Sequence, residues 1–366
     1  MGNGSKYYFP QLDSIRGLSF LAVYFFHAFH PDFSAGLIGR MLQFIYNSLT
    51  LSIDVFFILS SFLLTWLGIS EYRTKGNFSF INYFTRRALR IWPLYFLLMI
   101  FSFVLVPYVA NRFHTPVTLP PAYYYVFFIS NFYLESHVYF LRFLWTLAVE
   151  EQFYLLWGFC LLVLQKRIVP TAFILLALSI GYTVYAMNNG LDHYFHTLVY
   201  LFDFAIGILA AWLLHNEHRV ASYFRRSGKA GSALILTALP VLFILLFILL
   251  EICPASAAPW IDLTGRYLFI TYTGLFIIEQ MVNDKTILRL GASRFLVYTG
   301  KISYGLYCFH GIVLTFGLLL LEKAGIGMPA VVRVFVFLGV NYLVSAISYR
   351  FIESPFLSLK DKLRRV

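Results

Sequence analysis

The chain has 366 residues, of which 60% are hydrophobic, 20% aromatic and only 12% charged, with a mean hydropathy of +0.74. That balance excludes a soluble globular protein and leaves an integral membrane protein without room for a sizeable aqueous domain, hence one membrane domain over residues 1–366. The net charge of +11 comes from short basic blocks between apolar runs, the pattern of cytoplasmic loops facing anionic headgroups; it excludes nucleic acid as a partner and implies the lipid bilayer.

In chain order, apolar stretches of spanning length fall near 11–30, 44–68, 88–106, 145–164, 170–187, 195–214, 231–250, 263–281, 296–321 and 329–350. Backbone groups in lipid find no water, and no alternating ten-residue strands occur, so these runs predict an all-α polytopic transmembrane bundle of about ten spans. The first run is followed by no small-residue cleavage site and is expected to remain as a helix. The segment 119–134, LPPAYYYVFFISNFYL, begins with two prolines and is rich in tyrosine. As a full span it would put the basic blocks on opposite faces, so it is read as interfacial or re-entrant. Both termini are then cytoplasmic, with Arg73 to Arg90, Lys166 and Arg167, Arg219 to Lys229, Lys285 to Arg294 and the tail Arg350 to Arg365 on that side. Arg40, Arg112, Arg142, Arg266, Lys323 and Arg333 fall on the other. Cys160, Cys253 and Cys308 stand singly, with no spacing suited to a metal, and read as packing residues.

An ionisable group inside a span costs roughly 2.5 to 3.5 kcal/mol on insertion scales, so each such group should line a cavity, pair, or sit at an interface. Asp13 and Arg16 open the first span three residues apart, as a local ion pair would. His27 follows Arg16 by eleven residues, about three turns and roughly 16 Å along a helix, which puts both on nearly one face. His30, before Pro31, reads as a residue at the helix end. Asp54 lies in the second span. Arg86, Arg87 and Arg90 crowd the start of the third, beside Trp92 and Tyr95. Topology alone favours a positive-inside anchor with an aromatic belt; the sharper reading is an anion site for the phosphates of a cytosolic cofactor. Glu150 and Glu151 are adjacent and point about 100° apart on a helix, so they need different partners. Asp203 and His310 add polar groups within spans, for each of which a satisfied interhelical hydrogen bond and a catalytic role both stand open.

Six strings in order, DSIRGL with His27, DVFFILSSFLLT, RRALRIWPLY, LWTLAVEEQFYLLW, GKISYGLYCFH and YRFIESPF, resemble the acyltransferase family 3 membrane proteins over nearly the whole chain. The resemblance implies a bundle of about ten helices in the bacterial cytoplasmic (inner) membrane. Such proteins move an acyl group, most often acetyl, from cytosolic acyl-CoA to a hydroxyl of a glycan or other acceptor at the outer side. The family's Arg-x10-His pair falls on Arg16 and His27, its RxxR element on Arg87 and Arg90, its paired acids on Glu150 and Glu151, and its acid-proline element on Glu353 and Pro355. Two departures stand out, Ser14 and Ser61 at positions where the family usually has glycine, so close helix contact there is less secure. Some members carry a fused extracytoplasmic hydrolase-like domain; the chain ends about 16 residues past its last span and is expected to lack one.

The resulting expectation is a membrane O-acyltransferase without a metal, with acyl-CoA as donor and a carbohydrate or glycolipid as acceptor. His27 acts as general base, with Arg16 on the donor path, Asp54 or Glu150 orienting the imidazole, and Arg86, Arg87 and Arg90 on the donor phosphates. An acyl-histidine intermediate is the covalent variant. A secondary transporter of a polar or anionic small molecule is the alternative, although no internal symmetry or interrupted pair of spans is visible. A non-catalytic scaffold is the third, and no feature sets an oligomeric state.

Overall fold

The computed structural model describes residues 8–31, 33, 36–112, 114, 117–133, 138–164 and 167–363, with side chains up to residue 359. Both chain ends lie outside these, and with them the evidence for cytoplasmic termini; so do Leu134 of the 119–134 segment, Lys166, Arg364 and Arg365, and the side chains of Lys360 and Lys362. Among the described residues all regular structure is helical, and eight stretches are long and apolar enough to cross a membrane: Leu37–Lys75, Phe80–Arg112, Tyr139–Val163, Ile168–Asn188, Thr197–His215, Arg219–Ile252, Ser303–Lys323 and Ala330–Leu359. Two further helices, α1 (Pro10–Ala28) and α12 (Ala258–Val282), have the length but more polar sequences. With them, each of the ten spans read from sequence is helical, the ninth as two helices. The chain is an all-α polytopic bundle and a multi-pass membrane protein. Rows of exposed Leu, Ile, Val and Phe along its helices are what lipid as solvent permits.

The segment 119–134 holds only the four-residue helix α6 (Tyr123–Val126) and a 3-10 turn at Ser130–Phe132, far too short to span. The run 296–321 divides into the amphipathic α13 (Arg294–Lys301) and the apolar α14 (Ser303–Lys323), parted at Ile302.

One compact unit comprises Met1–Trp66 and Asp203–Ser303. Here α1 packs along α13, and α11 (Arg219–Ile252) along α12. The first pair touches backbone to backbone: a Cβ on Gly300 would lie 1.7 Å from the carbonyl oxygen of Asp13, so only glycine allows the crossing. Ser14, where the family has glycine, is fully buried and donates its hydroxyl to the Leu290 carbonyl at 2.8 Å, tying α1 to the turn before α13. The close contact at Ser61 is likewise kept, because Gly207 of α10 (Leu201–His215) faces it; a Cβ there would lie 2.0 Å from Ser61 Oγ.

The other unit comprises Leu67–Phe202 and Tyr304–Val366. Its α4 (Phe80–Ile100) starts at Ser79, whose side chain accepts from the Asn82 N–H, an N-cap that satisfies one orphan donor. Against α4 pack α8 (Trp145–Val163), the π-helical turn Tyr349–Glu353 and α16 (Ser354–Leu363). The Tyr304 hydroxyl donates to the Ile91 carbonyl at 2.7 Å and the Tyr95 hydroxyl to the Tyr125 carbonyl at 2.7 Å, which fixes α4 on two sides.

Candidate active site

In the first unit, α1 runs unbroken through Arg16 and His27, so the shared face expected from their spacing holds. Arg16 is buried at 7% exposure, with Asp13 3.7 Å away one turn earlier. His27 lies half-buried in the last turn, its ring edge-to-face with Phe26 at 5.4 Å. His30 follows beyond the helix and is exposed. The end of α1 is held by a residue that sequence reasoning missed. The Tyr46 hydroxyl, from α2 (Leu37–Ser48), sits 2.7 Å and 2.6 Å from the Phe26 and Phe29 carbonyl oxygens, covering acceptors that a helix end leaves unpaired.

Asp54, on α3 (Ser52–Lys75), is buried with Asp203 of α10, and Arg266 of α12 joins them. Arg266 Nη2 donates to Asp54 Oδ1 at 2.9 Å and to Asp203 Oδ2 at 2.7 Å, and Nε adds longer contacts to both Asp54 oxygens. Three helices are therefore pinned by one guanidinium, and the Asp54 carboxylate is already engaged. The sequence signal was indirect: two acids inside spans demand a cation, and Arg266 at the head of its span was available.

In the second unit the three arginines of α4 have different surroundings. Arg86 Nη2 pairs with Glu71 Oε2 at 2.8 Å. Arg87 is buried, its guanidinium 5.5 Å from the Tyr154 ring centroid, a cation–π contact that compensates part of its desolvation. Arg90 stays partly exposed, and its charge reaches Glu353, buried on the π-helical turn that packs against α4. The acid-proline element and the RxxR element are thus brought together. Of the paired acids, Glu150 is partly exposed and accepts the Tyr154 hydroxyl, while Glu151 is 3% exposed, as two acids on different faces require. Tyr154 consequently links Arg87 to Glu150. Beside them Gln152 donates to the Phe128 carbonyl and to Asn131 Oδ1, both at 2.8 Å. Thr197 closes the ring by accepting from Asn131 and donating to Gln152. Nothing in the sequence signalled this node. His310 is fully buried, its Nδ1 on the Tyr307 carbonyl of its own helix and its ring 4.5 Å from Phe143. Among the described residues, no three His, Cys, Asp or Glu side chains gather as a metal site would require.

A polytopic bundle with buried arginine, histidine and carboxylate groups inside its spans has the make-up of a membrane enzyme or transporter, and the sequence comparisons decide the class. Residues 9–350 match the acyltransferase domain of acyltransferase family 3, and the chain belongs to that family. A Staphylococcus aureus (strain COL) protein provisionally named an O-acetyltransferase is 28% identical over 95% of this chain and 57% of its own length. The peptidoglycan O-acetyltransferase OatA of Listeria monocytogenes is 26% identical over 98% of this chain and 58% of its own. The O-acetyltransferase OatA of Staphylococcus aureus (strain NCTC 8325) is 26% identical over 96% and 57%. The chain thus spans 57% to 58% of the length of these relatives. No solved structure matches it.

Proposed function

We propose that the protein is an O-acyltransferase of the bacterial cytoplasmic membrane, moving an acyl group, acetyl above all, from cytosolic acyl-CoA to a hydroxyl of a surface glycan. The observation that carries this reading is the single rigid helix α1, with buried Arg16 at one end and His27 on the same face near the other, inside a chain of the acyltransferase family. The names of the relatives, one of which acetylates peptidoglycan by its title, support an O-linked glycan acceptor.

The chemistry follows from the groups present. The acceptor oxygen attacks the thioester carbonyl carbon while His27 takes the hydroxyl proton; the C–S bond then breaks, and the leaving thiolate receives a proton from the imidazolium. Arg16, buried and cationic, offers charge-assisted donors along the face that leads to His27. Tyr46 positions His27 by fixing the last turn of α1. Asp54, held by Arg266, serves the site by locking α3 in place, so a direct hydrogen bond from it to the imidazole is not part of the scheme. Arg86, Arg87 and Arg90 bind the donor phosphates: five guanidinium donors each leave Arg86 with spare N–H groups beyond its contact with Glu71. Glu150 and Glu353 balance that cationic patch and hold Arg87, through Tyr154, and Arg90 in place.

The test is mass spectrometry of surface glycans from cells carrying the intact chain or His27→Ala, with membrane insertion and abundance checked. The intact chain adds an acyl increment and His27→Ala loses it at least a hundredfold, in line with the 10²–10⁴-fold contribution of a general base. Retention of the full increment in the variant removes His27 from the mechanism.

A further inference from the structure

The first unit carries a set of cations that none of the roles above uses. Helix α11 would run about 51 Å if straight, and the stretch 229–252 alone covers roughly 36 Å, enough for a hydrocarbon core of about 30 Å. Residues 219–227 are left over for the surface, and the chain turns after them: Gly228 has φ 57° and ψ −133°, outside the helical range and in the half of backbone space that favours glycine. On this short stretch Ala221 and Phe224 are buried, while Arg219, Tyr223 and Arg226, at i, i+4 and i+7, share the opposite, exposed face. The turn after α12 closes on the same break. Asn283 Nδ2 donates to the Gly228 carbonyl at 2.7 Å and the Ile287 N–H to Ser232 Oγ at 2.9 Å. Lys285 is thereby seated beside the break, its Cδ 3.6 Å from where a Cβ on Gly228 would lie.

Charge and exposed apolar surface together define what fits there. Residues 216–230 and 283–290 hold six cations, Arg219, Arg225, Arg226, Lys229, Lys285 and Arg289, against two acids, Glu217 and Asp284. All six are exposed, and among the described residues none of them forms an ion pair. The charge bias of loops only orients a chain; the fold adds that cations from two separate loops, Lys229 and Lys285, flank one helix break. Like charges gathered without a counter-charge repel one another, and an anion relieves them. Exposed apolar side chains lie among them, Tyr223 between Arg219 and Arg226 and the pair Ile287 and Leu288 between Lys285 and Arg289. A soluble polyanion offers nothing to these. A lipid offers both a phosphate for the cations and hydrocarbon for the apolar groups, as at a protein edge lying at headgroup depth.

We infer that the break at Gly228 is a binding site for an anionic phospholipid, whose phosphate lies among Lys229, Lys285 and the arginines of 219–226 and whose hydrocarbon covers Tyr223, Ile287 and Leu288. The site shares no group with the acyl-transfer scheme. In the proposed topology it faces the cytosolic leaflet, and a lipid held there braces the turn that joins α12 to α13, the helix on which α1 is seated.

The experiment measures, by native mass spectrometry, the lipid retained by the full chain when it is released from nanodiscs of phosphatidylglycerol and phosphatidylcholine in equal amounts. The intact chain is expected to keep phosphatidylglycerol over phosphatidylcholine by about tenfold or more, a preference set by several cations acting together. Arg226→Gln, Lys229→Gln and Lys285→Gln should each lower that preference about fivefold, the ratio to which about 1 kcal/mol per cation corresponds. Arg112→Gln, which removes an exposed cation from a different helix, should leave it unchanged, and Lys285→Arg, which keeps the charge, should retain it. No preference in the intact chain, unchanged preference in all three glutamine variants, or an equal loss in Arg112→Gln overturns the site and leaves these residues as loops that only orient the chain. Coenzyme A, added at the concentration of the lipid, serves as the soluble polyanion; displacement of phosphatidylglycerol by it overturns the lipid assignment. Acyl transfer is not the readout, so the result stands or falls separately from the acyltransferase reading.

Discussion

Arg266 carries more structural weight than its position at the head of a span suggests. It bridges two buried carboxylates, and its own side chain is 15% exposed. Removing one partner of such a buried group leaves uncompensated charge, which costs about 3–5 kcal/mol where it has been measured. Arg266→Ala is therefore expected to lower the thermal unfolding midpoint of the purified protein sharply, whereas Asp54→Asn, which keeps an acceptor for Nη2, should cost less; equal midpoints for Arg266→Ala and the parent chain would show that the pairing is energetically idle. Legibility at this scale divides by distance along the chain. The Arg16 and His27 relation was readable, because eleven residues on one helix obey a fixed period. The partners of Arg266 lie 212 and 63 residues away, and that of Arg86 lies 15 residues away across a turn, separations to which no local period applies. Tyr46 was invisible for the same reason: its hydroxyl serves carbonyl groups, which every residue has.

Hydropathy located every long apolar helix because lipid imposes the same demand on each of them, a run of apolar side chains with its hydrogen bonds closed internally. What it blurred were boundaries and breaks. The second stretch grew from 44–68 to Leu37–Lys75, and the ninth split at Ile302, because an amphipathic helix such as α13 and an apolar one such as α14 merge in an averaged profile. Glycines are where sequence departures were resolved. The loss of glycine at position 61 is offset by Gly207 on the facing helix, so contact is a property of the pair and not of one motif. Gly300 has no such relief. Gly300→Ala drives a methyl group into the Asp13 carbonyl, and overpacking of this kind typically costs 1–3 kcal/mol and forces backbone shifts. We expect a lower unfolding midpoint together with a loss of acyl transfer larger than the loss of folded protein, measured in the same membranes, because the helix displaced is the one that bears His27; activity in proportion to folded protein would show that α1 tolerates the shift.

At the scale of the molecule, the class of the protein was legible from composition, and its family from six strings in order. Its orientation rests on the distribution of charge, which is a statement about loops and is tested at loops. Asn216 and Ala122 are both exposed, between Thr197–His215 and Arg219–Ile252 and between Phe80–Arg112 and Tyr139–Val163 respectively. In a cysteine-free background, Ala122→Cys is expected to react with a membrane-impermeant thiol reagent added to intact spheroplasts and Asn216→Cys only after lysis; the reverse pattern would invert the topology and, with it, the direction of acyl transfer.

The backbone contact between Gly300 and the start of α1 also has a mechanical meaning. With the Asp13 carbonyl seated against a residue that has no side chain to yield, α1 has no clearance for sliding or turning against α13, much as a shaft keyed into its bearing has none. A helix so seated cannot work as a piston that ferries an acyl group across the bilayer. In the proposed function, the traffic then falls to the flexible partners, the thin arm of the donor and the chain of the acceptor, with His27 at a fixed station.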